Sequence, residues 1–566
     1  MSGRFSHPSE VAEASWEAIE AAFDELLARP IDSATIEAWL ADWSRYEEIL
    51  TEAFSLAMIA YTSDTTDPTK EAAHRRFAIE IAPKAEEKSV ALARRLTDLG
   101  YVRPGLEQTV ARFRRSIEVF REANVPLTAD LEEAATEYHR ITGGFLVDWD
   151  GEKRPVPQLA PFLQSPDRSI RERAYRATTE PYLASRDELA ALFDRQRQLR
   201  GQVATNAGFA DYHDYAFASK CRFDYRPADC ERFHAAVEAV VVPAVARLHR
   251  YRRDRLALDR LRPWDLAVSL YRDQPLRPFA NGRDLMERSA VMFRRLDPVL
   301  ADQFQQMIDQ GLLDLDSRKG KAPGGYCDTL HFRGRPFIFM NASGVMEDVQ
   351  TLLHEAGHAF HAFASHRQPL IWQRHPTAEA AELASMSMEL LAAPLLAIDG
   401  AFLPERDAAV ARIEHLEDVL ITLCHVASVD AFQSWIYPSA DGSDGRARDR
   451  AWLAIRGRFE PEVDWTGLEA ERIARWYRQL HIFLYPFYYI EYGIAQLGAL
   501  QVWLNHRRDP AEALAAYRRF LGLGATASLP DLYRSAGARL VFDAESMAAL
   551  VVEVEGEIGR LRAALG

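Results

Sequence analysis

His354-Glu355-Ala356-Gly357-His358 sets two histidines four residues apart, with a glutamate directly after the first. On an α-helix of about 3.6 residues per turn, positions i and i+4 share a face, so both imidazoles can reach one metal ion. Glu355 projects about a quarter-turn away, within reach of a water on that metal rather than of the metal itself. The flanking residues keep the helical period. His354, His358 and His361 fall on one side, whereas Val349, Leu352, Ala356, Phe360 and Phe363 gather on the other. The stretch predicts a helix with an apolar back to pack and a histidine face to present; the bland alternative is a helix whose histidines face solvent.

A catalytic zinc takes three protein ligands and leaves its fourth position to water, so a further donor is needed. A metzincin would place a glycine three residues and a histidine six residues after His358. The chain has His361 and Ala364 there, so the donor must come from a later element. Residues 377–393 are rich in helix formers and stop just before Pro394, and Glu379, Glu382 and Glu389 share one face of that helix. The adjoining Ala, Met and Leu side chains make it mostly apolar, which argues against a solvated acidic face. One carboxylate bound directly, with another orienting a histidine, would suit a metal site. His366 and His375 are competing donors, each near a loop where a lone surface histidine is the commoner reading.

Upstream of the histidine helix, Lys319-Gly320-Lys321-Ala322-Pro323-Gly324-Gly325 reads as a turn-rich loop and Arg335-Pro336-Phe337-Ile338-Phe339-Met340-Asn341 as extended. A small β-sheet immediately before the histidine helix follows. The first 200 or so residues read as successive amphipathic helices: Trp16, Ile19, Phe23 and Leu26 repeat at helical spacing, as do Ile36, Trp39, Trp43, Tyr46 and Leu50, with Pro30 and Pro104 as punctuation. The expected division is an all-helical N-terminal lobe over residues 1–200 and a catalytic domain over residues 201–566. A late stretch, Pro438-Ser439-Ala440-Asp441-Gly442-Ser443-Asp444-Gly445, breaks the helical pattern as a surface loop.

A composition of 48% hydrophobic and 27% charged residues over 566 positions is that of a globular protein with material for more than one lobe. A net charge of −15 weighs against a general nucleic-acid binder, which needs clustered Lys and Arg. The polar start, Met1-Ser2-Gly3-Arg4-Phe5, offers no apolar signal region, and no run of about 18 apolar residues predicts a membrane span. Cys221, Cys230, Cys327 and Cys424 lack paired spacing for a thiolate zinc site or a disulfide framework. Together these features lead to the expectation of a cytoplasmic protein.

Phe337 to Asn341, Asp348-Val349, His354 to His361, and Ala381-Glu382-Leu383-Ala384-Ser385 with Glu389 together resemble the thimet oligopeptidase and oligoendopeptidase F family of zinc metallopeptidases, and more closely its oligoendopeptidase F branch. Gly208-Phe209 with Tyr212, and Pro263-Trp264-Asp265-Leu266, look like further landmarks, so the resemblance spans roughly residues 110 to 510. It implies a mainly α, two-lobed fold with a deep substrate channel and a small β-sheet near the active site. It implies one zinc ion per chain on His354, His358 and Glu382, with Glu355 as general base and Glu389 and His361 in supporting places. The strand containing Phe339 and Asn341 would pair with the substrate backbone.

His481-Ile482-Phe483-Leu484-Tyr485-Pro486-Phe487-Tyr488-Tyr489-Ile490-Glu491-Tyr492 looks like the family's His and Tyr cluster, which supports substrate and transition state. Placed on one helix, Tyr485, Tyr489 and Tyr492 share a face with His481. The His-to-Tyr spacing departs from both branches of the family, and Pro486 is a candidate helix start. His481, Tyr492 and Tyr489 are the catalytic candidates, with Tyr485 and Tyr488 as substrate-binding ones. The implied activity is hydrolysis of internal bonds in short unstructured peptides. The alternatives are a zinc carboxypeptidase or dipeptidyl carboxypeptidase on a related helical fold, and a silent binding protein, which the intact Glu355 opposes.

Overall fold

Ile19, Phe23 and Leu26 lie buried on the helix Trp16–Ala28, and Trp39, Trp43, Tyr46 and Leu50 lie buried on the helix Ile36–Ser63, as their spacing predicts. The computed structural model describes residues 5–274, 276–322 and 324–565. Met1 to Arg4 and Pro323, on which the sequence reading touched, lie outside the described residues. Among the described residues the fold is mainly helical, with two small sheets.

The chain groups into two compact units, each assembled from separated stretches. The first comprises Met1–Phe120, Arg277–Ala408 and Gly498–Leu540; the second comprises Arg121–Leu276, Ala409–Leu497 and Val541–Gly566. The division expected at residue 200 falls inside the second unit's first stretch.

In the first unit a core forms around Trp39, Trp43 and Phe113, with Trp372 packed against it, the Trp43 and Trp372 ring centroids lying 4.3 Å apart. The three-stranded sheet belongs to this unit. Arg335–Ala342 is its central strand, parallel to Leu313–Asp316 on one side and antiparallel to Tyr326–Leu330 on the other. Lys321, in the loop before Tyr326, turns its ammonium inward to the carbonyls of Asp314 and Asp316, at 2.9 Å each, and to that of Met340. A buried ammonium is tolerated where its donors are all used, and this one ties the loop to the sheet.

The second unit packs around Phe432, Trp452, Trp476 and Phe483. Its sheet is a two-stranded hairpin, Leu146–Trp149 with Glu152–Pro155, which corrects the expectation of an all-helical first 200 residues. Asp150 and Gly151, both at positive φ, form its turn, the Asp-Gly signal of a tight hairpin. Glu152–Pro155, Glu-Lys-Arg-Pro, carries no alternating apolar residues to announce a strand.

Two helical spans, Ala378–Ala397 and Glu405–Ile436, are long and apolar enough by composition to cross a membrane, but 67% of each apolar window is buried inside the protein, as in core helices.

Candidate metal centre and active site

The helix Met346–Ser365 carries the two histidines. Asp348 fixes its start: one carboxylate oxygen accepts the backbone N–H of the N-cap Val345 at 2.9 Å and those of Ser343 and Gly344 at 2.8 Å, tying the preceding turn to the helix. Val349, Leu352, Ala356 and Phe360 are fully buried, so the apolar back packs inward as expected. The helix Ala378–Ala392 lies against it. Gly357 permits the close approach, since a Cβ there would sit 2.5 Å from the Ser385 Cα.

This crossing brings the predicted ligands together. His354 Nε2 and His358 Nε2 lie 3.3 and 3.7 Å from one Glu382 carboxylate oxygen, and the three potential ligand atoms all fall within 4.8 Å of one another. Two imidazoles and a carboxylate converging at that spacing fit a tetrahedral zinc with one position left over. The atoms behind the donors fit as well. His354 Nδ1 hydrogen-bonds Glu389 at 2.7 Å, and His358 donates to the Ala381 carbonyl, so each ring keeps its other nitrogen for a metal. Ser385 donates to the Glu382 carboxylate at 3.1 Å.

Glu355 is buried in the same region and accepts the Cys327 backbone N–H. Burial, reinforced by Glu382 and Glu389 and opposed by His354, raises its pKa to about 7. Burial disfavours a charged His354, but the Glu382 and Glu389 carboxylates prevail and raise its pKa well above the usual value.

Four sequence expectations are corrected. His361, expected in a supporting place beside the ligands or lining the cleft, is instead buried against Phe520, with a ring-centroid distance of 5.3 Å, and neither ring nitrogen has a hydrogen-bond partner among the described residues. Burial lowers its pKa to about 3. The strand Arg335–Ala342, expected to pair with a substrate backbone, is the central strand, already paired with Leu313–Asp316 on one side and, over Arg335–Phe339, with Tyr326–Leu330 on the other; Tyr326–Leu330, the strand that carries Cys327, lies at the edge of the sheet. Phe339 is fully buried, stacked on Tyr326 at 4.9 Å, and Asn341 spends its side-chain amide on the Ala322 and Gly324 carbonyls at 2.6 and 3.0 Å. Both serve the loop and sheet.

The late cluster lies in the second unit, and the single helix imagined for it is broken. Leu480–Leu484 ends before Tyr485, and a new helix, Tyr489–Arg508, begins after Pro486 and Phe487. Phe487 takes φ +63, unusual for a bulky residue. It is held there by burial, by Gln433 Oε1 accepting its N–H at 3.1 Å, and by Arg222 donating to its carbonyl. The break still gathers rings around His481: Tyr489 at 4.8 Å, Tyr488 at 5.9 Å and Tyr492 at 6.0 Å between centroids. Tyr485 lies at 6.1 Å from His481 and is 57% exposed.

Sequence reasoning missed Gln479 and His425, which bond around His481 and Tyr489. Gln479 adjoins the motif but is of a common type, and His425 is remote in sequence. A second acid–histidine group, Asp211, His213 and Asp214, has its own local explanation, because Asp211 caps the helix Tyr212–Ser219 by accepting the Asp214 N–H at 3.0 Å.

Comparison with known proteins agrees with this geometry. The family model described as peptidase family M3 matches residues 162–551, and that of the peptidase M3 N-terminal domain matches residues 8–102. Oligopeptidase PepF of Bacillus subtilis (strain 168) is 23% identical over 413 residues, covering 70% of this chain and 58% of that protein. An oligoendopeptidase F homolog of Borreliella burgdorferi is 21% identical over 381 residues, covering 64% of this chain and 60% of its own length. Each match thus spans less than two thirds of the relative. The solved structure of PZ peptidase A with inhibitor 2 superimposes with a TM-score of 0.90 at 27% identity, covering 97% of this chain and 98% of that one. With the family model covering most of its length and the expected histidines and glutamates converging, the chain belongs to peptidase family M3.

Proposed function

We propose that this protein is a zinc-dependent oligoendopeptidase that hydrolyses internal bonds of short unstructured peptides. The observation that carries the reading is the convergence of His354, His358 and Glu382 beside the buried carboxyl of Glu355. The names of the similar proteins, an oligopeptidase and an oligoendopeptidase F homolog, support the substrate class. Bound by those three side chains, a zinc ion would act as a Lewis acid on the scissile carbonyl and lower the pKa of water.

Glu355 takes the proton of the attacking water and returns it to the leaving amine. Burial favours the protonated form that Glu355 passes through between the two transfers, and the Cys327 N–H holds the carboxyl in place. The edge strand Tyr326–Leu330 is the natural partner for an extended substrate backbone. The family resemblance gives the His and Tyr cluster the support of substrate and transition state, and the donor to the oxyanion is a role that suits Tyr492, another tyrosine of the cluster, or His481.

The test is mass spectrometry of a peptide library digested by the protein and by Glu355→Gln, each with and without chelator. Internal cuts that vanish with chelator and return with zinc are expected, and Glu355→Gln should hold zinc yet lose about 10²- to 10⁴-fold in turnover. Stepwise loss from a terminus would favour the carboxypeptidase alternative. Parental turnover by Glu355→Gln would remove Glu355 as the base.

A further inference from the structure

Behind His481, in the second unit, runs a line of hydrogen bonds whose direction is set by its far end. Arg456 is buried and ion-paired with Glu460 at 2.5 Å. Glu460 also pairs with Arg472 at 3.2 Å and with Arg475. Burial alone would raise the Glu460 carboxyl, but the three guanidiniums prevail and hold it below the usual carboxylate range. The cation at Arg456 is therefore anchored.

A guanidinium can only donate. Arg456 Nη1 lies 3.1 Å from His425 Nδ1, so that nitrogen accepts. Burial lowers the His425 pKa to about 3, so the ring is neutral near pH 7 and carries its one hydrogen on Nε2. His425 Nε2 lies 3.0 Å from Gln479 Oε1 and donates to it. This orients an amide whose two ends geometry alone does not distinguish. The Gln479 NH₂ group then faces His481 Nδ1 at 3.2 Å, and an amide nitrogen can only donate. The same side chain also hydrogen-bonds the Tyr489 hydroxyl.

We propose that Gln479 is a positioning residue that, oriented by His425 and Arg456, fixes the tautomer of His481 so that its ring hydrogen is carried on Nε2. His481 is thereby set as a donor through Nε2, the form an oxyanion requires. By giving its second hydrogen to Tyr489, Gln479 makes that hydroxyl an acceptor on one side and leaves its own hydrogen to be donated elsewhere. The inference rests on the role given to His481 under the proposed function; the tautomer itself does not.

The experiment is nitrogen NMR of the full-length, zinc-loaded protein labelled at the histidine rings, with the His481 signals assigned by their loss in His481→Ala. The parent should show a bare Nδ1 and a protonated Nε2 at His481. Gln479→Glu can still accept from His425 but cannot donate to His481, so Nδ1 should become protonated. Turnover should then fall about 10²-fold, with zinc content and KM little changed. A protonated Nδ1 in the parent, read without any variant, overturns the proposal. So does an unchanged nitrogen pattern in Gln479→Glu. Parental turnover in His481→Ala would instead overturn the role of His481, while the nitrogen pattern still decides the relay.

Discussion

Glu389 shows how much one carboxylate can do without touching a metal. Its 2.7 Å hydrogen bond to His354 Nδ1 sets the tautomer of that ring and aims Nε2 at the Glu382 carboxylate. Orienting partners of this kind are worth about 10- to 100-fold in metal affinity. Glu389→Ala should therefore weaken zinc by about that factor while the fold stays intact, as read by competition with a chromophoric chelator. Unchanged affinity would mean that the bond to His354 orients nothing. The residue was legible as one of three glutamates on an apolar helix. The face alone left Glu379, Glu382 and Glu389 unresolved, because sharing a face does not say which carboxylate meets the histidines.

Two helices make the candidate metal site, and their separation is set by backbone against backbone. At Gly357 a methyl group would sit 2.5 Å from the Ser385 Cα and 2.7 Å from the Ala384 carbonyl oxygen, atoms that cannot rotate away. Gly357→Ala should therefore push the helices apart, costing about 1–3 kcal/mol and lowering zinc occupancy together, measured by urea unfolding and metal analysis. Gly201, inside the helix Arg186–Ala207 with nothing within 4 Å of such a methyl, is the control. There Ala should stabilise by up to about 1 kcal/mol. If both variants behaved alike, helix propensity rather than close packing would explain Gly357. Helix positions were readable from periodicity, as the buried Ile19, Phe23, Trp39 and Trp43 show. The break at Phe487 was not, because Arg222 and Gln433, which hold its backbone, are distant in sequence.

Across the molecule, several histidines are held neutral inside the fold. His331 in the first unit is buried, and burial, aided by His375, Arg374 and His366, lowers its pKa to about 2 from an ordinary 6.5. A depressed histidine pKa means that the unfolded chain binds the proton first. Its contribution to stability is then full above about pH 6.5 and is lost as pH falls below it, at up to about 1.4 kcal/mol per pH unit. The urea midpoint should fall between about pH 7 and pH 4.5, and His331→Gln should flatten that slope. An identical slope in the variant would place the acid sensitivity elsewhere. The sequence by itself determined the helical class, the residue types of the candidate metal site and the family, since spacing along a helix and the order of motifs are local properties. Tertiary structure alone decided that each unit draws on separated stretches, that Arg335–Ala342 is the central strand of its sheet, that His361 is core, and that Gln479 and His425 stand behind His481. Those outcomes depend on which distant segments meet, and residue spacing carries no record of that.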